Sequence, residues 1–168
     1  MSTAVIIMEK ITSLIKKLKN RAANEPHLEH LTFQEGEMFH WSHAACAITY
    51  ASTDEHAVQY LLHEFGHALL EHADYHRDVE LLQMERAAWD SAITLSNDIG
   101  IDIDDDLIED SLDSYRDWLH NRSLCPQCNS TGIQTAAKEY RCLSCATIWK
   151  VNEAKTCGLR RYITKKRP

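Results

Sequence analysis

The segment HEFGH, with His63, Glu64 and His67, has the residue types and spacing of a hydrolytic metal site. Side chains four residues apart on an α-helix lie about 40° from each other, so both imidazoles can bind one metal ion at about 2 Å. Glu64 lies about 100° around the helix from His63, near the metal but outside its coordination shell. There it can take a proton from a zinc-bound water and pass it to a leaving amine. The segment therefore predicts a catalytic zinc held by His63 and His67, with Glu64 as the base.

The third ligand of this site must come from another segment, because catalytic zinc sites use three protein ligands. Glu85 is the leading candidate, since it shares a predicted helix face with the apolar residues Leu81, Leu82, Ala88, Trp89 and Ala92. A carboxylate on an apolar stripe needs a positive partner, which zinc would supply. The alternatives are that Glu85 reaches solvent or pairs with Arg77 or Arg86, and that Glu80, on a more polar face, is the ligand instead.

Two further histidines, His72 and His76, follow the motif closely. On a continuing helix they lie about 140° and 180° from His67, so neither faces the same metal unless the helix ends first. Tyr75 and His76 are interpreted as loop or surface residues, the alternative being that they stabilise an oxyanion. Gly66 is interpreted as a packing residue that lets another backbone approach the motif helix.

A second metal site is predicted from four cysteines in two CxxC pairs, Cys125 with Cys128 and Cys142 with Cys145. Thirteen residues separate the pairs, and two such knuckles can bind one tetrahedral zinc. Four thiolates leave no position for water, so this zinc is expected to be structural. Short alternating segments around the cysteines predict a zinc ribbon. The other two cysteines, Cys46 and Cys157, are interpreted as small, partly buried thiols.

The elements that must position these residues follow from hydrophobic spacing. Helical periodicity predicts four helices, at residues 3–23, 55–73, 78–97 and 106–121. Aromatic and β-branched residues predict short strands at 31–35, 37–42 and 46–52. The fold class is therefore α+β: an N-terminal helix, a small sheet, the motif helix and two further helices, then a small β zinc ribbon. The strand at 47–51 is expected to be an edge strand that pairs with substrate backbone, with Tyr50 bordering the substrate cleft.

The net charge of −7 is divided unevenly along the chain. Residues 1–121 hold 8 basic and 23 acidic residues, a net −15, whereas residues 122–168 hold 10 and 2, a net +8. This asymmetry predicts three parts: a catalytic domain at 1–121, the ribbon at 122–152 and a basic C-terminal tail at 153–168. Aromatic residues among the basic ones make nucleic acid a candidate partner of the last two parts, the alternative being a tail that only aids solubility.

The first residues of the chain do not fit a targeting or membrane-spanning segment. The apolar run there is five residues long and is followed by Glu9 and Lys10, which is too short for a secretory signal or a membrane span. Paired CxxC motifs indicate metal binding in a reducing compartment. The expected location is the cytoplasm, with no membrane partner.

The stretch LLHEFGHALLEH followed by ERAAW resembles the ImmA/IrrE-type family of small zinc metallopeptidases. The resemblance covers roughly residues 37 to 97. It implies a zincin fold of the gluzincin-like kind, zinc bound by His63, His67 and Glu85, Glu64 as base, and cleavage of a protein partner. The metzincin subclass is excluded, because its glycine and third histidine would fall on Leu70 and Ala73.

Two other readings remain open. A zincin joined to a ribbon also resembles the SprT-type proteases, which implies action on DNA-associated proteins, although the third histidine of those families has no counterpart here. The remaining alternative is a nonhydrolytic DNA-binding or adaptor protein in which zinc only stabilises the fold. The presence of Glu64 favours an enzyme, because a purely structural site needs no base beside the metal.

Overall fold

The computed structural model describes residues 3–155 and 158–165. Within those ranges four α-helices form: α1 (Thr3–Ala22), α2 (Ala57–Leu69), α3 (Asp78–Ile99) and α4 (Asp105–Ser123). Seven strands complete the fold: β1 (Thr32–Glu35), β2 (His40–Ser42), β3 (Ala47–Tyr50), β4 (Gly132–Ala136), β5 (Glu139–Cys142), β6 (Ile148–Val151) and β7 (Arg161–Lys165). The fold is mixed α+β with two small sheets, as the sequence predicts.

The chain separates into two compact units. One consists of Met1–Asp74 and Met84–Asp105, and the other of Tyr75–Gln83 and Asp106–Pro168. Helix α3 therefore contributes its first residues to the second unit and the rest to the first. This division groups α4 with strands β4 to β7, whereas the predicted boundary at residue 122 follows the change in charge.

The sheet of the first unit has the strand order β1-β3-β2. Strand β1 runs parallel to β3, with Phe33 opposite Ile48, and β2 runs antiparallel to it, with Trp41 opposite Ile48. The expectation that residues 47–51 form an edge strand is therefore wrong. Alternating residues identify a strand but do not determine its neighbours, and here β3 has a neighbour on each side.

The core of the first unit lies between helices and this sheet. Helix α2 packs against α1, β2 and β3. The buried side chains repeat at helical spacing in both helices: Ile11, Leu14, Leu18 and Ala22 in α1, and Leu61, Leu62, Phe65 and Ala68 in α2. Burial of such apolar stripes is the main source of helix stability in proteins. It places the motif HEFGH on a helix that is held from several sides.

The second unit contains an antiparallel sheet of order β4-β5-β6-β7. The rings of Tyr140 and Trp149 stack with centroids 5.6 Å apart and pack with Cys125, Cys142 and Val151 in a small buried cluster. Strand β7 pairs with β6, so the segment predicted as a basic tail contributes the fourth strand. A single short basic strand has too little hydrophobic alternation to be distinguished from a tail by sequence.

A buried arginine joins α4 to this sheet within the second unit. Arg122 is 1% exposed, and its guanidinium lies 3.7 Å from Asp78 and 3.3 Å from the Tyr75 hydroxyl. Tyr140 donates a hydrogen bond to Asp78, and Trp149 donates one to the carbonyl oxygen of Arg122. The buried charge therefore has a carboxylate partner, which offsets part of its desolvation cost.

Among the described residues, no helix is sufficiently long and apolar to traverse a bilayer.

Candidate metal centres

Three of the predicted ligands converge in the first unit. The Nε2 atoms of His63 and His67 lie 3.1 Å apart, and the Oε2 atom of Glu85 lies 3.1 Å from the first and 3.5 Å from the second. All three side chains are buried, and their donor atoms lie within 4.8 Å of one another. The cluster could hold a metal ion. The structure thus brings together on α2 and α3 the residues that the motif and the helix face had indicated.

Arg86, an alternative partner of Glu85, and Glu80, the alternative ligand, both have other contacts. Arg86 pairs with Asp90 at 3.2 Å. The carboxylate of Glu80 accepts hydrogen bonds from the backbone N–H groups of His76 and Arg77, at 2.9 and 3.0 Å. Glu80 therefore satisfies exposed backbone donors at the start of α3, a position where helices favour an acidic side chain.

The chemistry of the buried donors fits a cation. Burial by itself would raise the pKa of Glu85, but the hydrogen bonds to His63 and His67 outweigh this effect and lower it to about 2. Glu85 is therefore an anion in a buried place, and a cation between it and the two imidazoles would compensate its charge. Two imidazole nitrogens and one carboxylate oxygen are also a ligand set of catalytic zinc sites.

Close packing between α2 and α3 holds the cluster in place. A Cβ atom on Gly66 would lie 2.4 Å from the carbonyl oxygen of Ala88, so only glycine permits this approach. This contact confirms the packing role predicted for Gly66. The ring of Trp89 lies against that of His63, with centroids 4.3 Å apart. Glu85 stands one turn before Trp89 on α3, and the same contact region therefore sets its position.

Glu64 lies beside strand β2. Burial raises the pKa of Glu64 to about 7, the charge of Glu85 adds to the rise, and His67 and a hydrogen bond from the backbone N–H of Trp41 oppose it. A carboxyl group with a pKa near neutrality can both accept and release a proton under ordinary conditions. Its properties are therefore those of a general acid-base group next to the His63, His67 and Glu85 cluster.

Sequence reasoning missed the position of His72. Helix α2 ends at Leu69 and not at 73, and Glu71 adopts a left-handed backbone conformation with φ of 53°. The chain then turns back, so that Nδ1 of His72 lies 2.8 Å from Nδ1 of His67. Burial lowers the pKa of His72 to about 4, and the charge of His67 contributes to the shift. Because left-handed positions after helices usually hold glycine or asparagine, Glu71 offered no signal that the helix ends there.

Trp41 connects this turn to the rest of the site. Its indole N–H donates a 2.8 Å hydrogen bond to the carbonyl oxygen of His72, while its backbone N–H donates to Glu64. A cavity of about 270 Å³ opens next to it, with His40, His43, His72 and Asp74 in its lining. The cavity gives this side of the site room for a small part of a ligand.

Tyr50 lies at the end of β3, where it pairs in register with Glu35 of β1. Burial raises the pKa of its hydroxyl, and the Glu35 charge contributes. Since β3 is a central strand, it has no free edge beside Tyr50 for a substrate strand, and the substrate-binding role of Tyr50 stays a prediction. Tyr75 accepts a hydrogen bond from Arg122 in the second unit, and His76 is exposed, in keeping with their interpretation as loop or surface residues.

The four ribbon cysteines form a second cluster that could hold a metal ion. Sulfur atoms lie 3.6 Å apart for Cys125 and Cys145, and 3.5 Å apart for Cys128 with each of Cys142 and Cys145. A disulfide needs about 2 Å, whereas the edge of a tetrahedron with 2.3 Å zinc–sulfur bonds measures about 3.8 Å. These separations therefore suit four thiolates around one ion.

The two knuckles have similar backbone geometry. Asn129 and Ala146, each one residue after a CxxC pair, have φ near 60° and donate backbone hydrogen bonds to the first cysteine of their pair. This shared turn aims both cysteines of each pair at one point. Cys46 is a half-buried free thiol, as predicted, whereas Cys157 lies outside the described residues.

No protein-family model matches the chain, and neither a curated protein nor a solved structure matches it. The chemistry of both clusters is therefore inferred from the side chains themselves.

Proposed function

We propose that this protein is a zinc-dependent metalloendopeptidase of the zincin type, related to the ImmA/IrrE-type enzymes, which cleaves a protein partner. His63, His67 and Glu85 bind the catalytic zinc, and Glu64 is the acid-base residue. The observation that carries this proposal is the convergence of three buried donor atoms within 4.8 Å of one another, next to a carboxyl group whose pKa lies near 7.

The chain's own residues divide the work of peptide hydrolysis. Bound zinc would supply a Lewis acid that polarises the scissile carbonyl and makes water a stronger nucleophile. The Glu64 carboxylate accepts the proton that the attacking water loses and delivers it to the leaving nitrogen. The backbone N–H of Trp41 orients this carboxylate, and the buried surroundings exclude competing water.

Strand β2 is the element of this site best suited to bind an extended substrate. Within the described part of the chain it pairs only with β3, so its other side is an edge of this sheet. Trp41 in the middle of β2 contacts Glu64, so a peptide added along this edge would pass close to the acid-base group. This strand takes the role that the sequence had suggested for residues 47–51.

The ribbon cysteines are proposed to bind a second, structural zinc. Two zinc ions per chain are therefore expected. The variant that tests the mechanism is Glu64→Gln, which keeps the shape of the side chain but removes its acid-base function. Metal content and cleavage of an unstructured protein mixture, read as new peptide termini by mass spectrometry, are measured for both proteins. The variant should retain two zinc ions and lose at least about 100-fold in rate. Full hydrolysis by Glu64→Gln would refute the mechanism.

A second candidate function is action on proteins attached to nucleic acid, as in the SprT-type reading. The exposed face of the ribbon sheet favours it. In the strand register Arg141 pairs with Ile148, which lies two residues before Lys150, and Lys150 pairs with Tyr162. Two exposed cations and an exposed aromatic ring thus share one face, which suits a phosphate backbone and stacked bases.

The alternative of a nonhydrolytic DNA-binding or adaptor protein shares this surface but not the peptidase chemistry. The Glu64→Gln comparison separates the two. A wild-type protein that binds two zinc ions and single-stranded DNA, yet produces no new peptide termini that depend on Glu64, would favour the nonhydrolytic alternative.

A further inference from the structure

We propose that His72 is a positioning residue for the catalytic metal centre: it accepts a hydrogen bond from Nδ1 of His67 and thereby holds the ring in the tautomer that can bind zinc. This inference rests on the proposed function, because it concerns how one of the proposed ligands is prepared. His72 acts through His67 and is not itself a ligand.

The two ring nitrogens of His67 face different partners. Its Nε2 atom points into the cluster, 3.1 Å from Nε2 of His63 and 3.5 Å from Oε2 of Glu85. Its Nδ1 atom lies 2.8 Å from Nδ1 of His72. The proposed zinc and His72 therefore contact opposite nitrogens of the same ring, the arrangement in which metal-binding histidines are oriented by a group behind them.

The position of one proton decides whether His67 can serve as a ligand. A neutral imidazole carries a single N–H, and the nitrogen without it offers the lone pair that binds metal. With the proton on Nδ1, His67 donates to His72 and its Nε2 lone pair faces the cluster. With the proton on Nε2, that atom has no free lone pair and cannot bind the metal. His72 favours the first arrangement when its own proton is on Nε2, because its Nδ1 is then an acceptor.

The fold keeps His72 in this place from two sides. The backbone N–H of His72 donates to the carbonyl oxygen of His67 at 3.0 Å, and the indole of Trp41 donates to the carbonyl oxygen of His72 at 2.8 Å. The left-handed conformation of Glu71 turns the chain back towards α2. A continuous helix would direct His72 about 140° away from His67, so the end of α2 at Leu69 is what makes the contact possible.

The experiment compares zinc affinity in the full-length protein for wild type, His72→Ala, His72→Asn and His30→Ala, by competition with a chromophoric chelator. His72→Ala should bind the zinc at this site about 10- to 100-fold more weakly. In His72→Asn the side-chain oxygen takes the place of Nδ1 as acceptor, so most of the affinity should return. His30 is exposed, and its variant should behave as wild type.

A second readout does not depend on affinity. In the zinc-loaded wild type, ¹H–¹⁵N correlation of the histidine rings should show the His67 proton on Nδ1. A proton on Nε2 of His67, equal affinity of His72→Ala and wild type, or His72→Asn as weak as His72→Ala would each overturn the positioning role. A wild type that binds zinc only at the cysteines would instead refute the proposed catalytic centre, and this inference with it.

Discussion

Gly66 on α2 lies so close to Ala88 on α3 that a Cβ atom there would stand 2.4 Å from the Ala88 carbonyl oxygen. Real Cβ atoms essentially never approach an atom this closely, and a backbone oxygen cannot move aside as a flexible side chain can. The glycine between the two motif histidines therefore sets the separation of the helices that carry all three proposed ligands.

Replacing Gly66 by alanine should push α3 away from α2 and move Glu85 from the two imidazoles. Forcing extra volume into a packed interface costs about 1–3 kcal/mol, although alanine is the better helix former. We expect a lower unfolding midpoint and weaker binding of one of two zinc ions, measured by thermal denaturation and chelator competition. Thr94→Ala, on the exposed surface of α3, should change neither. Unchanged zinc affinity in Gly66→Ala would contradict the role given to this contact.

Replacing Glu85 by glutamine tests the third ligand. The amide keeps the size of the side chain but has no charge to balance a cation, so this variant should retain one zinc ion per chain, that of the cysteines. Glu80→Gln is the matched control, since its carboxylate caps the start of α3 and should not affect zinc content. Elemental analysis after dialysis measures the zinc content of both variants. If Glu80→Gln lost a zinc ion and Glu85→Gln did not, the ligand assignment would be reversed.

The ribbon should lose its structure when its metal is removed. Its buried cluster is small, and short domains with little core depend on a metal to fold. Cys128→Ser should therefore lower the zinc content by one ion per chain. It should also abolish the chemical-shift dispersion of the Trp149 and Tyr140 signals. Cys46→Ser, at the remaining described cysteine, should leave both unchanged. A folded ribbon in metal-free Cys128→Ser would show that the thiolates are not needed for its fold.

The buried pair of Arg122 and Asp78 should matter far more than exposed pairs. Asp78→Ala leaves the guanidinium, 1% exposed, without its carboxylate partner, and such a loss costs about 3 kcal/mol or more. Asp113→Ala removes one of the two carboxylate partners of the exposed Arg116, the other being Glu109, and should leave the unfolding midpoint equal to that of wild type within error. Adding Arg122→Met to Asp78→Ala should recover part of the loss. Equal midpoints for the two single variants would contradict the importance of the buried network.

The exposed face of β5, β6 and β7 should bind single-stranded DNA in a salt-dependent manner if the second candidate function holds. Charge reversal in Lys150→Glu should weaken binding about equally for all sequences, because phosphate contacts carry no base information. Fluorescence anisotropy over a range of salt concentrations measures this, and each lost phosphate contact lowers the slope of log K by about 0.7. Lys10→Glu, on α1, is the control. Equal loss in both variants would argue against a specific surface.

The sequence alone was sufficient to predict four helices, three short strands before the motif helix and the residues that cluster as candidate ligands, and the reason is mainly local. Spacing of four residues on a helix places His63 and His67 on one face whatever surrounds them. The two CxxC pairs likewise define their cluster through short turns. Glu85 could be identified because a carboxylate on an apolar stripe needs a buried polar or charged partner. In the structure that partner is the pair His63 and His67, which lies on another helix.

Only the tertiary structure decided the order of strands, the role of the last strand and the place of His72. Each depends on contacts between distant segments or on a backbone conformation that the residue type does not favour. Strand β3 became central because β1 and β2 pair on its two sides, and His72 reached His67 because Glu71 adopts a left-handed conformation that its own chemistry disfavours. Local spacing thus determined which residues could bind metal, and packing over long distances determined which groups lie beside them.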